Sequence, residues 1–358
     1  MNSNKIYPNS YELEEVIANI ANRPFIDSFT QSRGIFITHS EKKTLSQELS
    51  NLFFDDYDLE EIRKVAYGHS IKHTLTGFLI KSENSEFDLI SFYENIRINE
   101  TSHRKKGVAI SQLIKINSKP GTIEKYKGTI EYERRRVGRI QFLQNEKGSF
   151  DFYIHKKDNG IWQVEVDCNK STDSGEIFNL FDRNINKETQ IETIDLDSLT
   201  TKSTISFFDA LAKEGLGKEW RFVDVKKLTF KRGKDTGKDE DEIEETVEEE
   251  NLIGISQAIL EGKNLRENSF VKQSEAAGYV FTAMTFEYEN KETPYSIQVK
   301  AEFKGRPKVF EVGISSYISR SGINEEIYNE ILTESEDRYY RTLFWDNAKS
   351  IYDNFKSK

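Results

Sequence analysis

The chain has 358 residues, of which 36% are hydrophobic and 31% charged, and its formal net charge is -10. That length supports more than one core, and no apolar run of about eighteen residues offers a membrane span. A single cysteine, Cys168, excludes a disulfide framework or a cysteine-based zinc site. Glu12, Glu14 and Glu15 stand where a signal peptide needs an apolar stretch, so a cytoplasmic protein is expected.

Residues 1–70 read as a helical region. Leu13, Val16 and Ile20 recur at helical spacing, as do Leu45, Leu49 and Leu52–Phe53 after a cap at Thr38 or Ser40. Arg33-Gly34-Ile35 stops one helix and starts a short extended piece. A helix, an extension and a second helix are loosely similar to small DNA-binding helix-extension-helix modules. From Thr74 the period changes to two. Strands are expected at 74–81, 87–97, 107–116, 122–133, 139–143, 149–157 and 161–168, as an antiparallel meander within a β-rich domain spanning 71–232. A helix at 204–213 leads into a strand at 220–231.

Residues 233–250 form an acidic linker in which nine of the twelve residues from Asp239 to Glu250 are acidic. Such a run repels itself and buries nothing. Residues 251–358 read as a smaller α+β unit. It has a helix at 255–262, strands at 279–288, 295–304 and 308–315, and a long final helix carrying Tyr340, Phe344, Ala348, Ile351 and Phe355 on one face. The fold class expected is α+β, with the N-terminal helical segment packed on the antiparallel sheet.

The charge is polarised along the chain. Residues 1–100 carry ten basic and sixteen acidic side chains, whereas residues 101–150 carry twelve basic and four acidic, a balance of +8. The block comprises Arg104, Lys105, Lys106, Lys115, Lys119, Lys125, Lys127, Arg134, Arg135, Arg136 and Arg139, interleaved with Tyr126 and Tyr132. Its first and third clusters fall at strand ends, where they can converge on one sheet edge. Phosphate backbones demand such an array, because each neutralised phosphate releases counterions. Docking to an acidic protein, or simple protection of a sheet edge, uses the same residues.

Two carboxylate groups invite metal chemistry. At Asp158-Asn159-Gly160 a two-residue turn would set Ile154 opposite Glu165, whereas a loop with Gly160 left-handed pairs Ile154 with Val164 and Phe152 with Val166. The other face then pairs Tyr153 with Glu165 and sets Asp151 against Asp167, a repulsion that a divalent cation near Glu165 would remove. Cys168 falls on the apolar face as a packed thiol. The second group is Glu302-Phe303-Lys304 with Glu311 across from it, which resembles the core of PD-(D/E)xK nucleases. That resemblance implies acids that hold magnesium and a lysine that assists the attacking water. The family's Asp on the preceding strand has only Glu287 or Glu289 as counterparts here.

His69 and His73 have metal-ligand spacing but no third partner. Gly-x-Ser-x-Gly, P-loop and dinucleotide fingerprints are absent. The reading that follows is a non-catalytic nucleic-acid-binding subunit of a cytosolic multi-protein system. It needs no cofactor, with Mg²⁺ implied only by the nuclease alternative. The Lys- and Asn-rich composition suggests a bacterial source, where antiviral defence against phage is one fitting role. A protein partner is expected at the C-terminal unit, through Arg306, Lys308 and the aromatic final helix, and a pure protein–protein adaptor is the remaining alternative.

Overall fold

The computed structural model describes residues 7–19, 23–36, 41–67, 73–102, 108–116, 124–135, 140–170, 172–232, 257–304, 309–321 and 326–356. The acidic run 239–250, Arg104, Lys105, Lys106, Lys119, Arg136, Arg139, His69, Arg306, Lys308 and the expected cap residues Thr38 and Ser40 lie outside them. The fold is α+β, and the strand pairings among the described residues are antiparallel. Contacts divide the chain into two units, residues 1–71, 94–112 and 128–150 in the first and the remainder in the second.

The first unit carries helices α1 (Ser10–Asn19), α2 (Arg23–Gln31), α3 (Lys42–Leu49) and α4 (Asp56–Ala66). Asn9 and Glu12 cap α1 reciprocally, and Asp55 and Asp58 form a capping box on α4. Leu13, Val16, Phe29, Phe54, Leu59 and Ile62 form one core with Phe142 and Leu143, while Ile17, Ile26, Leu45 and Leu49 form another. Residues 139–143, expected as a strand, include a 3₁₀ turn at Gln141–Leu143 that delivers those two side chains.

The second unit is built on a sheet that includes β1 (Thr74–Ser82), β6 (Ile161–Cys168), β8 (Trp220–Arg232), β9 (Gln257–Glu261), β10 (Tyr279–Asn290), β11 (Tyr295–Lys304) and β12 (Val309–Ser321). Their order is β6-β1-β12-β11-β10-β8-β9, so residues 251–358, expected as a separate unit, share one sheet with residues 74–82 and 161–168. Short β7 (Thr189–Thr193) adds to β1, and β13 (Glu326–Asn329) adds to β12.

The sheet changes sides at β1 and β12. On one face, β8, β10, β11 and β12 present Leu228, Phe286, Val299 and Val312 to α7 (Thr201–Glu214) and α9 (Glu334–Lys356). On the other, β1 and β6 present Phe78, Val164 and Val166 on the face where α6 (Asp173–Asp182) sets Phe178 and Phe181 against Phe78.

Three other expectations change. Of residues 87–97, all from Leu89 on belong to helix α5 (Leu89–Ser102), because Asp88 caps Ile90 and Ser91 and Leu89, Tyr93 and Ile96 fall on one buried stripe. Residues 107–116 break into β2 (Val108–Ile110) and β3 (Ile114–Ile116), both paired with β4 (Lys125–Arg135). The helix expected at 255–262 is edge strand β9. Helix α8 (Ser269–Ala276) carries no earlier expectation.

Candidate functional site

The hairpin of β5 (Asn145–Asp158) and β6 has the expected register: Asp151 faces Asp167, Tyr153 faces Glu165 and Ile154 faces Val164. An irregularity between Lys156 and Asp158 absorbs the extra residue, and Gly160 sits at φ +69°. A Cβ on Gly160 would stand 2.6 Å from the Ser82 carbonyl oxygen, so a side chain is excluded there on two counts. Phe152, Ile154, Val164, Val166 and Cys168 are buried on the apolar face, as expected. Burial holds the Cys168 thiol well above its usual range, which keeps it protonated and unreactive.

The opposite face is not solvated. Tyr153, His155, Gln163 and Glu165 are all buried, because α9 lies across them. Glu165 is 0% exposed and its carboxylate accepts from Lys125 Nζ at 2.9 Å and Arg338 Nη2 at 2.9 Å. Burial alone would raise its pKa, but Lys125, His155 and Arg338 outweigh that and hold it below the ordinary carboxylate value. Asp167 takes Arg341 at 2.8 Å, and Asp151 takes Lys127 at 2.6 Å. Burial lowers His155 to about 4 despite the neighbouring Glu165, so the imidazole is neutral near pH 7.

The three carboxylates proposed for a metal are therefore neutralised separately, each by side-chain cations. Among the described residues no group of three or more His, Cys, Asp or Glu could hold a metal ion. Arg338 and Arg341 carry no earlier expectation, although their signal is in the sequence. Arg338, Arg341, Thr342 and Trp345 recur at helical spacing on the stripe beside the apolar positions of α9.

Those ion pairs also redistribute the basic block. Lys125 and Lys127 point to Glu165 and Asp151, so they belong to the interior network of the second unit. Lys115 is exposed and pairs with Glu124. Arg134 lies over the Tyr132 ring, 4.6 Å from its centroid, and Arg135 is exposed. Tyr132 is itself buried against Phe150, so it offers no free stacking face. In the first unit β2 pairs with β4 so that Val108 faces Tyr132 and Ile110 faces Ile130. The start of β2 and the end of β4 therefore lie side by side. Arg134 and Arg135 close β4 just past Tyr132, and in sequence Arg104-Lys105-Lys106, outside the described residues, precedes Val108.

The second carboxylate group is partly assembled. Glu302 stands opposite Glu311, and Lys300 and Lys304 approach Glu302 at 2.7 and 3.8 Å. Glu311 is 1% exposed; its Oε2 accepts from Thr74 Oγ1 at 3.1 Å and its Oε1 has no partner among the described residues. Burial pushes its pKa up to about 7, with Lys304 opposing and Glu302 adding to the rise. The strand that should supply the third acid places Ala283 opposite Glu302. Glu287 lies four residues further along, roughly 13 Å away at strand rise, and pairs with Lys226 at 2.7 Å. Glu289 pairs with Arg221 at 2.6 Å. Neither is brought to Glu302.

No protein-family model matches the chain, and no curated protein matches it. Among solved structures it is similar to DynU16, a protein from the dynemicin biosynthetic locus, at 11% identity over 79% of this chain and 98% of that one. The TM-score of 0.19 is too low to carry an argument about fold or function. Among the described residues no helix is long and apolar enough to cross a membrane.

Proposed function

We propose that this chain is a non-catalytic nucleic-acid-binding subunit of a cytosolic multi-protein system, which grips phosphates at the β2–β4 end of the first unit. The observation that supports the reading is the Val108–Tyr132 register, which sets Arg134 and Arg135 at the end of β4 beside the start of β2, the strand that Arg104-Lys105-Lys106 precedes in sequence. Arg134 and Arg135, with Arg104, Lys105, Lys106, Arg136 and Arg139 from the flanking segments, form the proposed interface. Lys125 leaves it, since displacing it would uncover the buried Glu165, and Lys127 leaves it through its pair with the half-buried Asp151.

The test is fluorescence anisotropy with labelled single- and double-stranded DNA and RNA across a salt series. Wild type should bind with a steep salt dependence, and Arg134→Glu with Arg135→Glu should lower the slope of log K against log salt by about 2. Binding unchanged by that double reversal would overturn the reading.

The Glu302–Glu311 pairing favours a second reading, metal-dependent cleavage, because it leaves one carboxylate oxygen of Glu311 open. Incubating the same oligonucleotides with Mg²⁺ or Mn²⁺ separates the two. Fragments that disappear with Glu302→Ala would support a nuclease, and intact strands would remove it. No binding at low salt together with intact strands leaves the adaptor.

A further inference from the structure

One end of the second unit's apolar face finishes in tyrosines. Tyr295 and Tyr317 stack across β11 and β12 with ring centroids 5.2 Å apart and planes 12° from parallel. A bulge at Ser315 puts them there: Ile314 faces Val299 before it and Tyr317 faces Ile297 after it, so both keep to the core side despite their odd spacing. Tyr340 on α9 packs edge-on against Trp220, 5.6 Å between centroids, and Tyr339 beside it is 58% exposed. Tyr295, Tyr317 and Tyr340 are half-buried, and among the described residues their hydroxyls make no hydrogen bond.

The rim of this patch is acidic. Glu336 and Glu330 act on the Tyr317 phenol, and Glu336 and Glu219 on that of Tyr340. Glu336 is spent on capping, accepting from Thr333 N at 2.9 Å, and Glu330 accepts from Ser319 Oγ at 2.6 Å. Among the described residues no lysine or arginine pairs with Glu219, Glu330 or Glu336. This contrasts with the rest of α9, where Arg338, Arg341 and Lys349 all have carboxylate partners. Burial, the neighbouring Tyr340 and Tyr295 phenols, Glu336 and Glu330 push Tyr317 up to about 12.

Electron-rich ring faces beside carboxylates that hold no lysine or arginine among the described residues attract one class of ligand. We propose that the Tyr295–Tyr317–Tyr340 corner binds the cationic side chains of a basic segment on a protein partner, lysine ammonium or arginine guanidinium groups resting on the rings with Glu219, Glu330 and Glu336 as counter-charges. Ring quadrupole and carboxylate act in the same direction on a cation and against an anion, so the site is selective by sign. It stands independently of the nucleic-acid reading, which concerns the first unit.

The test is calorimetric titration of the full chain with a short alternating Arg-Gly peptide, repeated with a Lys-Gly peptide and with tetramethylammonium. Saturable one-to-one binding of the peptides is expected, weakened at least fivefold by Tyr317→Leu, Tyr340→Leu or Glu219→Gln. Tyr317→Phe, which keeps the ring face, should stay within twofold of wild type. Peptide binding that survives both leucine variants would put the peptide on the acidic run 239–250 and overturn the proposal, as would phenylalanine and leucine variants that lose binding equally. Saturation by tetramethylammonium with no preference for peptide would also overturn it, in favour of a small-ammonium site. Should the leucine variants fail to fold, ¹⁹F NMR of 3-fluorotyrosine protein supplies the readout. Peptide must then shift the resonances assigned to Tyr295, Tyr317 and Tyr340 through single Tyr→Phe variants, and unmoved resonances refute the site.

Discussion

Glu165 and Glu311 are the same residue type, both at most 1% exposed, on opposite faces of one sheet. Their charge states differ. Glu165 receives Lys125 and Arg338 and is held ionised below its usual range, whereas Glu311 receives one hydroxyl and is pushed up to about 7. Burial sets the size of the electrostatic problem, and the partners within reach decide its sign. Both carboxylates sit where the apolar stripe changes sides, β6 under α9 and β12 beside Thr74.

The comparison breaks first at Glu165. Glu165→Gln leaves the half-buried Lys125 and Arg338 without their shared counter-charge and should cost about 3 kcal/mol in denaturant unfolding at pH 7. A loss under about 1 kcal/mol would mean that water reaches the network and that the two sites are alike.

Glu311→Gln should do the opposite. The folded state holds its proton to about pH 7, while the unfolded chain releases it near 4.5. This group therefore costs nothing below 4.5, and its penalty grows through that interval and levels off above 7. Removing the charge should raise stability by on the order of 3 kcal/mol at pH 8 and by almost nothing at pH 4. A pH-independent effect would refute the buried ionisation.

His155 sharpens the contrast from the acid side. Its folded pKa is depressed to about 4 from 6.5, so its contribution is present above 6.5 and is lost as pH falls toward 4. His155→Gln should flatten that limb, recovering on the order of 2 kcal/mol of the acid loss at pH 5. The smallest effect belongs to Lys115→Ala, whose exposed pair with Glu124 should leave the melting temperature unmoved.

Where the sequence states its own constraints, it was legible. The hairpin register followed from keeping Ile154 off Glu165, and β11 was bounded by its alternation. What covers each face was not legible, because that is a long-range fact: Arg338 meets Glu165 across 173 positions of sequence. For this reason the Asp151–Asp167 face, whose repulsion suggested a divalent cation, instead carries α9 and its arginines. Residues 87–97 misled through their aromatic and β-branched content, while the Asp88 cap signal was present. At 255–262 a short apolar run fits either period, and only pairing with β8 decides it.

The join between β1 and β12 has a kinetic meaning. It consists of Thr74 beside Gly313, Leu75 beside Val312, and the Thr76 hydroxyl donating to the Phe310 carbonyl at 2.7 Å, linking segments more than 230 residues apart. Each side of it has a core of its own, Phe78 and Val164 with α6 on one and β8 to β12 with α7 on the other. Two half-sheets must thus be largely built before this short ladder can close, and loop closure over such a span is slow. In the finished protein the same short ladder is expected to be where the sheet parts first. Amide exchange at Leu75 and Gly313 should outpace that at Val164 or Val299, and a strand of another chain would find its opening there.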